Sequence, residues 1–228
     1  PFLVFWETTQ ACDLACQHCR ACAVPERSPG ELTTAEGKSL LDDIRAMGCP
    51  IVVLTGGDPA KRPDLVELVR HGASIGLQMA LTPSATPLVT PELVRELKDA
   101  GLSRLAVSLD GATAEVHDAF RGVPGSFERT FEILRDARAV GLGTQVNTSI
   151  SKTNAKDLER IAERLAPMDI ELWSVFFLVP TGRASPDDLV DPEDVERMLE
   201  RLAALRETVP FAIKTTAAQH YRRVLLQE

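Results

Sequence analysis

Gly48, Gly76, Gly101 and Gly141 stand at the same point of a repeating pattern: each closes a helix-periodic stretch, and an apolar run begins almost at once. Glycine enters the left-handed conformation that ends a helix without a steric penalty. The runs "FLVFWETT" (2–9), "IVVLT" (51–55), "LQMALT" (77–82), "RLAVSLD" (104–110), "TQVNTSI" (144–150) and "ELWSVFFLV" (171–179) predict strands. The stretches 34–47, 64–75, 91–100, 126–140 and 155–166 predict helices. Thr33 and Glu36 form a capping box, and Thr90 caps a helix opened by Pro91. Strands alternating with helices of this length pair in parallel through right-handed crossovers. Such strands are expected to be apolar on both faces, as a covered parallel sheet requires. Six steps fall short of the eight of a closed barrel. The expectation is therefore an α/β fold, a partial (β/α)6 TIM-like barrel, with an open doubly wound sheet as the alternative. A helix over 192–207, capped by Asp191, and a strand over 211–216 are expected after it. That divides the chain into a barrel (1–184) and a C-terminal helix–strand extension (185–228).

Composition narrows the function. Of 228 residues, 44% are hydrophobic and 25% charged, which is ordinary for a globular protein. A net charge of −8 argues against a phosphate-tracking nucleic-acid partner. No apolar run approaches the roughly 20 residues of a membrane span, so no membrane partner is expected. "PFLVFW" lacks a basic lead and a cleavage site, which makes it a strand and not a signal peptide. The first residue is Pro1, so an excerpt of a longer chain is expected.

The five cysteines are an odd number, and Cys12, Cys16, Cys19 and Cys22 crowd into one loop after the first strand. A secreted disulfide scaffold would spread its cysteines through a smaller chain. A reducing cytoplasm is expected instead, and the loop then needs a metal or catalytic explanation. In parallel α/β folds the C-terminal edge of the strands carries the chemistry. The spacing Cys12-x3-Cys16-x2-Cys19 can hold three irons of a 4Fe–4S cluster and leave the fourth open. Structural zinc would want a second ligand pair 12 to 20 residues on, whereas the next histidine is His71 and Cys49 stands alone. Cys16-x2-Cys19-x2-Cys22 matches the start of a bacterial ferredoxin run but meets Glu26 where the fourth cysteine belongs. Cys22 reads as a reduced bystander and Cys49 as a small buried hydrophobe.

The triplet, with aromatic His18 before its last cysteine, resembles the radical SAM superfamily. Other segments extend the likeness over about residues 2–184. "TGGDP" (55–59) is similar to the family's GGE-type motif, with Asp58 where Glu is commoner. The resemblance implies that Gly56, Gly57, Asp58 and Pro59 hold the amino group of S-adenosylmethionine (SAM). It also implies that Ser108 and Asp110 of "SLDG" emerge at the cofactor, and that Arg121 of "HDAFRG" meets the methionine carboxylate through its bidentate fork. Thr82 and Ser84 of "TPSA" and Asn147 of "VNT" then fall near the ribose, and Val179 of "FLVPTGRA" near the adenine.

The cofactors implied are a 4Fe–4S cluster and SAM. An external donor of flavodoxin or ferredoxin type would reduce the cluster, SAM would be cleaved to a 5′-deoxyadenosyl radical, and the radical would take hydrogen from a substrate. "SLDG…HDAFRGVPGSF" looks most like the branch that carries a C-terminal SPASM or twitch domain with auxiliary clusters. No cysteine follows Cys49, so that domain is expected to lie outside this sequence. The branch implies a peptide or protein undergoing maturation as substrate, with a tetrapyrrole, as in haem d1 and alternative haem synthesis, as the alternative. The reading from a different class is a non-catalytic iron–sulfur electron carrier or sensor. Cys16→Ala is expected to abolish both the cluster absorbance and SAM cleavage after anaerobic reconstitution; cleavage that survives contradicts the ligand assignment.

Overall fold

The strands form because β-branched and aromatic residues alternate sides between glycine-closed helices. The computed structural model describes residues 1–227. In chain order it contains β1 (Leu3–Thr9), α1 (Thr34–Ala46), β2 (Ile51–Gly56), α2 (Leu65–Ser74), β3 (Gln78–Leu81), α3 (Pro91–Asp99), β4 (Leu102–Ser108), α4 (Ala114–Arg121), α5 (Ser126–Ala139), β5 (Thr144–Ile150), α6 (Leu158–Leu165), β6 (Leu172–Phe177), α7 (Pro192–Arg206), β7 (Ala212–Thr216) and α8 (Tyr221–Gln227). The stop glycines Gly48, Gly76, Gly101 and Gly141 all have positive φ. Thr33 and Glu36 make both bonds of the capping box, and Thr90 accepts from Leu93 N–H. Asp191 does not cap α7 through its side chain; it pairs with Lys152 instead, at 3.6 Å. The sequence reading missed α4 as a helix because it is short and begins inside the "SLDG…HDAFRG" motif.

All strand pairs are parallel, and the order β1-β2-β3-β4-β5-β6-β7 follows the chain without reversal. A doubly wound sheet would reverse at a switch point. Winding in one direction keeps the crossover helices on one face, and the sheet curls into a partial barrel with them outside. The C-terminal strand expected at 211–216 joins this sheet as β7, so the wall has seven strands and not six.

The main core lies between the sheet and the helices. Val52, Leu54, Met79, Leu81, Val107, Val146, Trp173 and Val175 point into it and are buried. Trp173 is fully buried, donates from Nε1 to Thr148 Oγ1 at 2.8 Å and meets Phe211 edge-on at 6.3 Å. The inner face departs from the expectation of strands apolar on both sides. On β4–β7 it presents Ser108, Asn147, Ser174 and Lys214, which pair in register across the sheet. This polar row stands where a closed barrel would carry stacked aliphatic layers.

Candidate active site

The cysteine loop runs from the C-terminal end of β1 and is fastened on three sides by backbone bonds. It closes on itself through Cys12 N–H to Val24 O at 2.8 Å and Val24 N–H to Gln10 O at 3.1 Å. The segment after β2 grips it through Gly57 N–H to Thr9 O (2.7 Å) and Asp58 N–H to Ala11 O (2.6 Å). The end of α4 grips it through Ala15 N–H to Arg121 O and Gln17 N–H to Phe120 O, both 3.1 Å. The segment after β6 adds Arg183 N–H to Cys19 O at 3.1 Å. Two glycines make this approach possible. A Cβ on Gly57 would stand 2.4 Å from Ala11 O, and one on Gly182, whose φ is +64°, would stand 2.3 Å from Cys19 O. Atoms cannot overlap to that degree, so "GGDP" and "PTGR" are read first as backbone fits to the cysteine loop.

Cys12, Cys16 and Cys19 line one cavity of about 240 Å³ together with His18, Gly56, Gly57, Ser84 and Arg121. An adjoining cavity of about 120 Å³ shares Thr55, Gly56, Gly57, Ser84 and Arg121 and adds Thr82, Ser108 and His117. Each sulfur already has a polar neighbour. Cys12 Sγ lies 3.2 Å from Ser84 Oγ and accepts from Leu14 N–H at 3.3 Å. Cys16 Sγ faces Arg121 Nη1 at 3.7 Å, and Cys19 Sγ accepts from Ala23 N–H at 3.4 Å. Burial pushes the Cys12 thiol up, while at Cys19 bonds from Ala23 N–H and Arg183 overcome burial and pull it down. No three His, Cys, Asp or Glu side chains among the described residues converge closely enough for a single metal ion. A 4Fe–4S cluster asks for something else, one thiolate per iron around a cavity, with N–H donors on the sulfurs. The donor set and the cavity fit that group. Cys22 is exposed, has a φ of +48° and does not line either cavity. Cys49 is buried in the main core, as expected for a small hydrophobe.

The polar residues divide into those that face the cavities and those that hold them in place. Gly56, Gly57, Thr82, Ser84, Ser108 and Arg121 face them. Asp58 is fully buried and faces away: its carboxylate accepts from Ala60 N–H (3.1 Å), Ser84 N–H (3.2 Å) and Thr86 Oγ1 (2.8 Å), fixing the segment after β3. Burial still pushes its pKa up. Pro59 is buried and opens a 3₁₀ turn. Asp110 is fully buried beneath Arg121, which donates to its Oδ2 from Nε at 2.6 Å and Nη2 at 2.5 Å. Asn147 accepts from Gln145 Nε2 at 2.7 Å on the inner face of β5, and Val179 is half exposed beyond β6. None of Asp58, Pro59, Asp110, Asn147 and Val179 lines either cavity.

His117 was missed as a site residue, although it opens the quoted "HDAFRG". Its Nδ1 accepts from Asp110 N–H at 2.9 Å, so the neutral ring carries its proton on Nε2, which has no partner. Burial pulls its pKa down to about 4. His18 stacks on Phe120 with centroids 4.3 Å apart, and burial likewise brings it to about 4.

The Radical SAM superfamily profile matches residues 6–165. The chain belongs to the radical SAM superfamily. With membership come the 4Fe–4S cluster and SAM that this enzyme family uses. The chain is similar to the AdoMet-dependent heme synthase of Methanosarcina barkeri, 42% identical over 228 residues, covering all of this chain and 65% of that protein. It is 40% identical to the heme synthase of Oleidesulfovibrio alaskensis, over 99% of this chain and 58% of that protein. It thus spans under two thirds of the length of these relatives. It is also 34% identical to the mycofactocin maturase of Mycobacterium tuberculosis, over 81% of this chain and 46% of that one. Among solved structures, Streptococcus suis SuiB bound to SAM superposes with a TM-score of 0.85 at 16% identity, covering all of this chain and 53% of SuiB. At that identity the likeness is one of fold.

The two buried histidines make the protein acid-sensitive. Between an unfolded pKa near 6.5 and a folded value of about 4, the unfolded chain binds a proton at His117 that the folded chain refuses. Stability is therefore complete above pH 6.5 and falls on acidification, by at most about 1.4 kcal/mol per pH unit for each such group. His117→Gln keeps an acceptor for Asp110 N–H and is expected to flatten the slope by one proton in urea unfolding between pH 6.5 and 4. Identical slopes contradict the buried neutral histidine.

Proposed function

We propose that this chain is the SAM-cleaving part of an enzyme that modifies a haem-precursor tetrapyrrole. One observation carries the choice of substrate. The likeness to proteins named heme synthases holds at 40–42% identity from end to end, through β7 and α8. The mycofactocin maturase match reaches only 81% of the chain. Peptide or protein maturation is the second reading. It is supported by that maturase and by the fold shared with SuiB bound to its precursor peptide, at a TM-score of 0.81.

In this reading Cys12, Cys16 and Cys19 hold the cluster. The Gly56–Gly57 backbone accepts the amino group of SAM, and Arg121 supplies a cation toward its carboxylate. Thr82, Ser84 and Ser108 offer hydroxyls along the smaller cavity. Asp58 and Asp110 act as positioning residues, the first through Ser84 and the second through Arg121. Asn147 and Val179 stand further out, on the ribose and adenine sides. Held by these residues, the 4Fe–4S cluster and SAM would supply one-electron reductive cleavage and hydrogen-abstraction chemistry. The chain's own part is to hold the groups in place and exclude water. The electron comes from an external carrier of flavodoxin or ferredoxin type, and the setting is the cytoplasm.

The test is anaerobic reconstitution, reduction by dithionite and incubation with SAM and iron coproporphyrin. Formation of 5′-deoxyadenosine together with a mass change in the porphyrin is expected. No 5′-deoxyadenosine would favour the electron carrier or sensor. An unchanged porphyrin, with 5′-deoxyadenosine and a mass change in a precursor peptide supplied in a parallel incubation, would favour maturation.

A further inference from the structure

The inner face of the barrel is two-sided. On β1 and β2 it carries an apolar pair, Phe5 and Val53 in register, neither in the packed core and Phe5 66% exposed, and above them Glu7 and Thr55, with Glu7 already paired to Arg20. On β4–β7 one row crosses the sheet as Ser108, Asn147, Ser174 and Lys214, each the registered partner of the next. The residues on either side of Ser174, Trp173 and Val175, are fully buried in the outer core, so this row belongs to the opposite, inner face. The row starts at Ser108, in the wall of the smaller cavity beside the cysteine loop. It ends three strand spacings away, about 14 Å.

Lys214 is the open position in this row. No hydrogen bond or ion pair reaches it among the described residues. The other inner-face cation, Arg104, is already paired with Glu171. Partial desolvation of the ammonium, and then the charge of Arg104, push the Lys214 pKa down. Beside Lys214, the fully buried Ser174 hydroxyl has no partner either. Lys214 is exposed on this face, so in a chain of net charge −8 its ammonium, with no carboxylate partner among the described residues, is open to an anionic group from outside.

We propose that Lys214 anchors a carboxylate of the tetrapyrrole substrate at the far end of this inner row. The inference rests on the tetrapyrrole reading above and deepens it. A tetrapyrrole is a broad, flat apolar ring rimmed by carboxylated side chains. The apolar wall at Phe5 and Val53 takes the ring, and the polar wall takes the rim. Holding one rim carboxylate at Lys214 leaves the opposite rim toward Ser108 and the cofactor cavity.

Binding tests this without turnover. Coproporphyrin III and its tetramethyl ester are titrated by fluorescence against the cluster-reconstituted full chain, as wild type, Lys214→Met and Lys214→Arg. Lys214→Met is expected to weaken the free acid about tenfold or more, the loss of a charge-assisted bond, and to leave the ester unchanged. Lys214→Arg is expected to keep most of the affinity for the acid. Unchanged binding of the acid by Lys214→Met overturns the anchor alone. So does an equal loss for acid and ester, which would mark a change in packing. A wild-type chain that binds neither porphyrin overturns the tetrapyrrole reading and the anchor with it.

Discussion

The site depends on the carboxylate of Asp110. It lies just beyond β4 with no exposure to solvent. Its Oδ2 accepts two bonds from Arg121, its Oδ1 accepts from Ser149 N–H at 2.7 Å, its own N–H goes to His117, and its carbonyl accepts from Asn154 Nδ2 at 2.8 Å. One residue thus joins the ends of β4 and β5, α4 and the turn before α6. Burial raises its pKa, but Arg121, the two histidines and the Ser149 N–H bond together outweigh burial and hold the carboxylate below its ordinary range. Arg121 is held charged in return and turns its free nitrogen toward Cys16 Sγ. Removing one partner of such a pair strands a buried charge and costs about 3–5 kcal/mol. The pair is therefore both a strut for the fold and the means by which a cation is fixed beside the Cys16 sulfur.

Much of the architecture was legible because it is written in local signals. Glycine stops, Thr33 with Glu36, Thr90 with Pro91 and apolar runs of strand length each report on a few neighbouring residues, and the βα alternation follows from them. The single direction of winding was not legible, since sheet order is set by packing between units and not within them. Nor was the polar inner face: "TQVNTSI" alternates, yet "WSVFF" shows one inward polar residue and "AIKTT" two, and their alignment exists only in the assembled sheet.

At the site, the cysteine spacing located the loop that lines the larger cavity, because Cys12, Cys16 and Cys19 fall within eight residues. The more distant residues were harder. Asp58 and Asp110 carry charge in motifs that invite a ligand-binding role, but both are buried and spend their oxygens on backbone N–H groups and partner side chains. Gly182 and His117 were overlooked as individuals. A glycine that admits Cys19 O and a histidine that accepts from Asp110 N–H act across 163 and 7 positions of sequence respectively, and no periodicity reports such contacts.

The cysteine loop thus adds to its own closing bonds the support of β2, α4, the segment after β6 and, through Arg121, Asp110. The most direct measurement is the iron and sulfide content, with the electron paramagnetic resonance spectrum before and after SAM, of an anaerobically reconstituted Asp110→Asn variant whose far-ultraviolet circular dichroism matches wild type. The account predicts a folded chain that loads poorly and whose residual signal no longer responds to SAM. Full loading with an unaltered response would show that Cys16 finds its place without the buried pair, and would contradict it.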